Sequence, residues 1–255
     1  MAPLLPPRPA HPLGCHRSRV TDRSAMDAIF FVLRTGCQWN ALNDTGICSS
    51  SSAHRRFQEW GDAGVFEAFW QEGLLAYDAV KGIDWTWLSL DGAMVKAPLV
   101  GEKTGPNPTD RGKKGVKRSV LTDARGTPIS MVIAGANRND HLLMHDTLDG
   151  LAVARPKPTP RRKQHLCLDK GYDYAEPRRL AADFGFTLHL RTRGEEVQAK
   201  RHPKGKARRW VVEAAHSCTN RFRALLIRWN KKPQNYLALI HFACGIIAWR
   251  QCLPG

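Results

Sequence analysis

His165–Asp173 reads "HLCLDKGYD". Leu166, Cys167 and Leu168 make a short apolar run of strand character, and the chain leaves it through Asp169 and Gly171. A buried strand that ends in a carboxylate has two explanations. Asp close to Gly starts turns, or the carboxylate serves a ligand at the sheet edge, where strand ends leave room for one. The second explanation needs another acid at the same place. In "WTWLSLDGAMV", Leu88 and Leu90 point inward on a strand read as running through Leu90, and Asp91–Gly92 follow. Two separate strands therefore each deliver an Asp directly after a Leu.

The elements around these strands set the fold class. Residues 1–20 are rich in Pro and Arg and read as an extended arm. "TDRSAMDAIFFVLRTG" has Thr21 or Ser24 as a helix start, an apolar face of Met26, Ile29, Phe30 and Leu33, and Gly36 as a stop. "SSSSAHRRFQEW" and "DAGVFEAFWQEGLLAY" predict two further helices. Three such helices, with Arg55 and Arg56 on the middle one, resemble a helix-turn-helix unit contacting DNA, although a helical cap on a larger domain fits the same pattern. From Ile83 the pattern becomes β-rich. "SVLTDARGTPISMVIAG" predicts a hairpin turning at "DARG". "DHLLMHDTLDGL" predicts a helix capped by Asn139 or Asp140. After the 165–168 strand come a helix in "AEPRRLAADFG" and a strand in "FTLHLRT". A basic insertion near 192–208 and two long helices, near 208–229 and 234–249, close the chain, with Trp229 and Trp249 read as core. The order predicts an α/β fold: a mixed sheet flanked by helices over 81–255, preceded by a helical DNA-binding region at 21–80.

Composition narrows the function. The 255 residues are 42% hydrophobic, enough for a core. Lys and Arg number 39 against 23 Asp and Glu, for a net charge of +16. A clustered excess of this size is the footprint of a nucleic-acid binder. Cys15, Cys37, Cys48, Cys167, Cys218, Cys244 and Cys252 form no C-x-x-C pair, which favours reduced thiols over a disulfide framework. "MAPLLPPRPA" lacks the apolar core of a signal peptide, and "FACGIIAW" is too short to span a bilayer. A soluble, cytoplasmic protein is expected.

Two carboxylates at one sheet edge repel unless a divalent cation compensates. Mg²⁺ (or Mn²⁺) takes a few carboxylate oxygens together with waters and phosphate oxygens. In a basic protein this points to phosphodiester chemistry. Two such ions, about 3.5–4 Å apart, call for a third acid, and Glu213 in "RRWVVEAAHSCTNRFRALLIRW" is the candidate. Val211, Ala215, Cys218, Phe222, Leu225, Leu226 and Trp229 repeat at helical period, with Glu213 about opposite. Glu213 can face the strand ends if that stripe packs on the last helix through Leu237, Ile240, Ala243 and Ile247. Lys113, Lys114, Lys117 and Arg118, and the run Lys200, Arg201, Lys204, Lys206, Arg208 and Arg209, are candidate phosphate contacts. His141 and His145 beside Asp140 have no third ligand in view and read as polar residues at a helix start.

The strings "VLRTGCQW", "HRRFQEW", "LDGAMVKAP", "GPNPTDRGKKGVKRSVLTDARGTPI", "GANRNDH", "LDKGYD" and "RFRALLIRWNKKPQNYLALIHFACGIIAWR" resemble, in this order, a bacterial insertion-sequence transposase of the Asp-Asp-Glu class with an RNase H-like catalytic domain. The resemblance spans almost the whole chain. It implies catalytic and metal-binding roles for Asp91, Asp169 and Glu213, with two Mg²⁺ or Mn²⁺ ions. It also implies double-stranded DNA partners (element ends and target), a homo-oligomer on DNA, and a place near the nucleoid. The family's Tyr-x2-Arg-x3-Glu-x6-Lys signature finds Arg209 and Glu213 in register, but Lys206 stands at the Tyr position and Asn220 at the Lys position. Arg221, one residue on, is the substitute phosphate contact. Relatives carry a further helix ahead of "APLLPP", so a late start is expected of this chain. Two alternatives share the same residues: an RNase H-like nuclease without strand transfer, and an inactive remnant that only binds DNA.

Overall fold

The computed structural model describes residues 1–7, 19–190 and 210–253. The three N-terminal helices form where their caps dictate. Helix α1, Asp22–Thr35, starts at Thr21, whose side chain accepts the Ser24 N–H, and stops at Gly36 with φ 70°. Helix α2, Ser50–Asp62, is capped by Ser49 through the Ser52 N–H, and α3 runs Val65–Lys81.

The sheet contains β1 (Trp87–Lys96), β2 (Gly105–Pro106), β3 (Lys114–Thr122), β4 (Pro128–Gly135), β5 (His165–Leu168) and β6 (Thr187–Leu190). β3 pairs antiparallel with both β1 and β4, while β5 joins β1 and β6 in parallel. The short β2 lies against the start of β3. The order β4-β3-β1-β5-β6, three antiparallel strands followed by parallel ones, is the RNase H-like arrangement. The β3–β4 hairpin turns where the sequence predicts. Asp123 Oδ1 accepts the N–H groups of Arg125 and Thr127, and its Oδ2 accepts the Tyr77 hydroxyl.

Helices cover both faces of the sheet. Helix α4, Met144–Asp149, lies on the face of β3 that carries Ser119, bonded to Thr147 at 2.8 Å. Helix α5, Ala175–Asp183, links β5 to β6. Helix α6, Trp210–Asn220, covers the opposite face, where Arg118 donates to Asn220 at 2.8 Å. Helix α7, Pro233–Gln251, packs along α3. One buried cluster runs through Ile29, Phe57 and Trp70 of the N-terminal helices, Leu88, Val120 and Leu166 of the sheet, and Ile240 of α7. The 21–80 region and the sheet therefore share a core.

Four expectations need correction. β1 does not stop at Leu90 but continues to Lys96, because β3 pairs with it along its whole second half. The helix expected over 208–229 ends at Asn220. Beyond it Phe222 and Leu225 are buried by a 3-10 turn, and Ile227 bridges to Lys96 at the end of β1. Sheet pairing captures a segment whose helical period was clear. As a result Trp229 is 53% exposed rather than core. Trp249, at the end of α7, is 38% exposed and stacks on Phe69. Finally, Asn139 occupies the cap position before the 3-10 turn Asp140–Leu143 but makes no capping bond.

Candidate active site

The parallel pairing of β1 and β5 sets Ser89 opposite Cys167. Asp91 and Asp169 each lie two residues further on, so both carboxylates leave the same face at the same height on neighbouring strands. Adjacent strands lie about 4.8 Å apart. Both acids are partly buried, and each is oriented by the N–H of the next residue: Gly92 donates to Asp91 Oδ1 at 2.8 Å and Lys170 to Asp169 Oδ1 at 2.5 Å. Asp91 is thus a mid-strand residue. It reaches the edge because β5 ends at Leu168 while β1 continues.

Helix α6 borders this pair. His216 Nε2 lies 3.9 Å from Asp91 Oδ2. Burial, reinforced by the Arg118 guanidinium, lowers the His216 pKa to about 4, so at neutral pH the contact is between a carboxylate and a neutral ring. Glu213 is exposed in the first turn of α6, one helical turn before His216. Residues three apart in a helix share a side, with Cβ atoms about 5–6 Å apart, so Glu213 lies on the flank of α6 nearest the acid pair. Among the described residues, no group of three His, Cys, Asp or Glu side chains is assembled to hold a metal ion.

The opposite side of β1 is built around Gly92. A Cβ at this position would fall 1.9 Å from Asp140 Oδ1, so only glycine lets Asp140 lie against the strand directly beside Asp91. Asp140 Oδ2 accepts from Lys117 Nζ at 3.0 Å. Tyr172, 1% exposed in the 3-10 turn after Asp169, senses Asp140, Asp91 and Asp169 together. Its pKa is pushed well above the usual phenol value, first by burial and then by those three carboxylates. Asp140 Oδ1 and His216 Nε2 are buried here without a hydrogen-bond partner among the described residues, while the Tyr172 hydroxyl has Ser119 beside it. A hard divalent cation suits the oxygen donors of Asp91 and Asp169 and the concentration of negative charge. The donor set fits such an ion through this pair.

The basic candidates divide by exposure. Arg55, Lys113, Lys114 and Arg221 are exposed. Arg56 is 5% exposed; its guanidinium pairs with Asp22 and donates to the Val20 carbonyl, so it braces α2 against α1 and turns away from solvent. Lys117 is also 5% exposed and committed to Asp140. Inward register on β3 carries it into the sheet, which overturns its reading as a phosphate contact. Lys204, Lys206 and Arg209, with the basic insertion, lie outside the described residues. Position 220, where the family signature has Lys, holds the Asn that accepts from buried Arg118. A lysine there would set a second cation against the guanidinium.

Asp140, Tyr172 and His216 were not legible as site residues. Asp140 reads as a cap in the sequence; only the packing of the two 3-10 turns brings it and Tyr172 together beside Gly92.

A strand-end acid pair on an RNase H-like sheet defines a class of phosphoryl-transfer proteins, and comparison with known families specifies which. Residues 86–246 match the family model described as "Transposase DDE domain", and residues 1–70 match one described as "Putative transposase of IS4/5 family". The chain belongs to the DDE transposase family of insertion sequences. It is 36% identical over 156 residues to the "Putative transposase for insertion sequence element IS402" of Burkholderia cepacia, covering 58% of this chain and 69% of that one. It is also 33% identical over 108 residues to the "Insertion element IS402 uncharacterized 16.2 kDa protein" of the same organism, covering 42% of this chain and 74% of that one. A Mos1 transposase structure in a pre-cleavage transpososome overlaps 84% of this chain and 80% of that one at 11% identity, with a TM-score of 0.30. No helix among the described residues is long and apolar enough to cross a membrane.

Proposed function

We propose that this transposase cuts DNA at the ends of its insertion sequence and joins the freed ends to target DNA, with Asp91 and Asp169 as metal-binding catalytic acids and Glu213 as the third. The observation that carries the reading is the equal offset of Asp91 and Asp169 from the paired Ser89 and Cys167 on adjacent parallel strands. Mg²⁺ or Mn²⁺ ions, two in the full site, supply Lewis-acid stabilisation of charge at phosphorus and at the attacking oxygen. The chain's own part is to hold the carboxylates. The N–H groups of Gly92 and Lys170 fix their rotation, and neutral His216 fills the space beside Asp91 without placing a competing cation there. Glu213 completes the set by turning inward from the first turn of α6.

The exposed cations Arg55, Lys113, Lys114 and Arg221 are proposed to track phosphates, and Lys204, Lys206 and Arg209 to extend that surface. The 21–80 helices are proposed as a DNA-binding region following an arm at 1–20, ahead of the catalytic region at 81–255. The protein works as a homo-oligomer on DNA in the cytoplasm, at the nucleoid.

The test is cleavage and joining of DNA that carries the element's own ends, with Mg²⁺ or with chelator, comparing wild type and Asp91→Asn. Metal-dependent cleavage lost in the variant, with joined products in the wild type, is expected. Cleavage without joining would favour a nuclease. Binding of the ends without cleavage in Mg²⁺ would favour an inactive DNA-binding remnant.

A further inference from the structure

Helix α6 brings a nitrogen donor to the acid pair, and neither the family comparison nor the acid reading gives it a ligand role. His216 Nε2 lies 3.9 Å from Asp91 Oδ2. That separation exceeds a hydrogen bond, which runs to about 3.2 Å. Nε2 is nevertheless buried and has no hydrogen-bond partner among the described residues. A buried ring nitrogen and a carboxylate oxygen thus stand opposite each other at a distance too long for a direct bond.

The distance suits a shared ion. Bonds from divalent ions to imidazole nitrogen or carboxylate oxygen run about 2.0–2.1 Å, so two ligands of one ion lie at most about 4.2 Å apart. The His216–Asp91 pair falls inside that limit. A neutral imidazole carries one nitrogen without a hydrogen, and that nitrogen is a common metal ligand. The placement of the ring has a structural cause. Helix α6 packs on β1 and β3, and His216 follows Glu213 by three residues, so one flank of the helix presents both an acid and an imidazole. Few side chains are needed, because a hard divalent ion keeps several waters.

We propose that His216 Nε2 is a further ligand of the ion held at Asp91, and that it gives the site a preference for a transition ion such as Mn²⁺ over Mg²⁺. Carboxylate and water oxygens suit Mg²⁺, whereas an imidazole nitrogen adds most for first-row transition ions. The same bond ties α6, which carries Glu213, to the strand that carries Asp91. The competing use of His216 is an Nε2–H that moves in and donates to Asp91; it would orient the carboxylate and leave that nitrogen unable to bind an ion. The inference rests on the reading of Asp91 as a metal ligand.

The test uses the full-length chain with Mn²⁺ alone. Electron paramagnetic resonance measures the bound ion, and electron spin echo envelope modulation detects a coordinated nitrogen nucleus. Wild type is expected to show imidazole nitrogen coupling on an ion that is lost in Asp91→Asn. His216→Gln is expected to lose the coupling and to bind Mn²⁺ at least about tenfold more weakly, while Mg²⁺ affinity, read by competition, falls less. Asp91-dependent Mn²⁺ without nitrogen coupling in the wild type overturns the His216 ligand and leaves the metal reading standing. That outcome needs no variant of His216, so it decides even if His216→Gln does not fold. Coupling retained in His216→Gln also overturns the ligand. Equal losses of Mn²⁺ and Mg²⁺ affinity in His216→Gln overturn the ion preference. Absence of any Mn²⁺ binding that responds to Asp91→Asn overturns both the ligand and the metal reading.

Discussion

Asp91 and Asp169 each stand two residues past a directly paired Ser89 and Cys167 on adjacent parallel strands. Any change that slips β5 by one residue would send Asp169 to the other face of the sheet, because side chains alternate with period two. The acid pair therefore depends on strand register as much as on residue identity.

Asp169→Asn keeps shape and hydrogen bonding but removes a charge. It is expected to lower strand-cleavage rate by about 10²–10³-fold or more, with affinity for element ends within about twofold of wild type. Single-turnover cleavage and a gel-shift titration measure the two quantities. Glu213→Gln is expected to behave in the same way; retention of full cleavage rate in that variant would remove Glu213 from the site.

Gly92→Ala puts a Cβ 1.9 Å from Asp140 Oδ1. The carboxylate must move and its bond to buried Lys117 loosens. Overpacking of this kind costs about 1–3 kcal/mol, read as a lower urea midpoint at unchanged slope. The glycine after Asp91 was visible in the sequence as a turn former. Its actual use, as the one residue that admits a side chain from 48 positions further along, was not, since Asp140 carries no local sign of where it packs.

Arg55 and Arg56 are neighbours in sequence with opposite fates. Arg56→Ala removes a nearly buried guanidinium that pairs with Asp22 and Glu59 and is expected to cost about 1–3 kcal/mol of stability. Arg55→Ala is expected to leave stability within about 0.5 kcal/mol while weakening DNA binding and reducing the salt slope by about one. Chemical denaturation and binding at several salt concentrations separate them.

His241 packs against Trp70 with ring centroids 5.3 Å apart, and burial lowers its pKa to about 4. A basic group whose folded pKa lies below its unfolded value of 6.5 binds its proton more readily in the unfolded chain. Its contribution to stability is full above pH 6.5 and is lost as pH falls toward 4. The loss is on the order of 2 kcal/mol. Unfolding free energies at pH 7 and pH 5 should show it, and His241→Gln should flatten the dependence over that window.

Local chemistry determined much of this protein by itself. Thr21 and Ser49 as caps, Gly36 as a stop, "DARG" as a hairpin turn and the Leu-Asp-Lys-Gly strand exit all act within a few residues, and the sequence displays them directly. Family strings added the identity of the acids. Tertiary structure alone decided the rest. It ended α6 at Asn220 because pairing of Ile227 with β1 outcompeted helical propensity. It extended β1 past Asp91 because β3 supplied partners. It buried Lys117 and Arg56 by giving each a carboxylate from a distant segment. Periodicity reports which face of an element is apolar, but the partner that face meets, and the charge waiting there, are set by contacts between residues far apart in the chain.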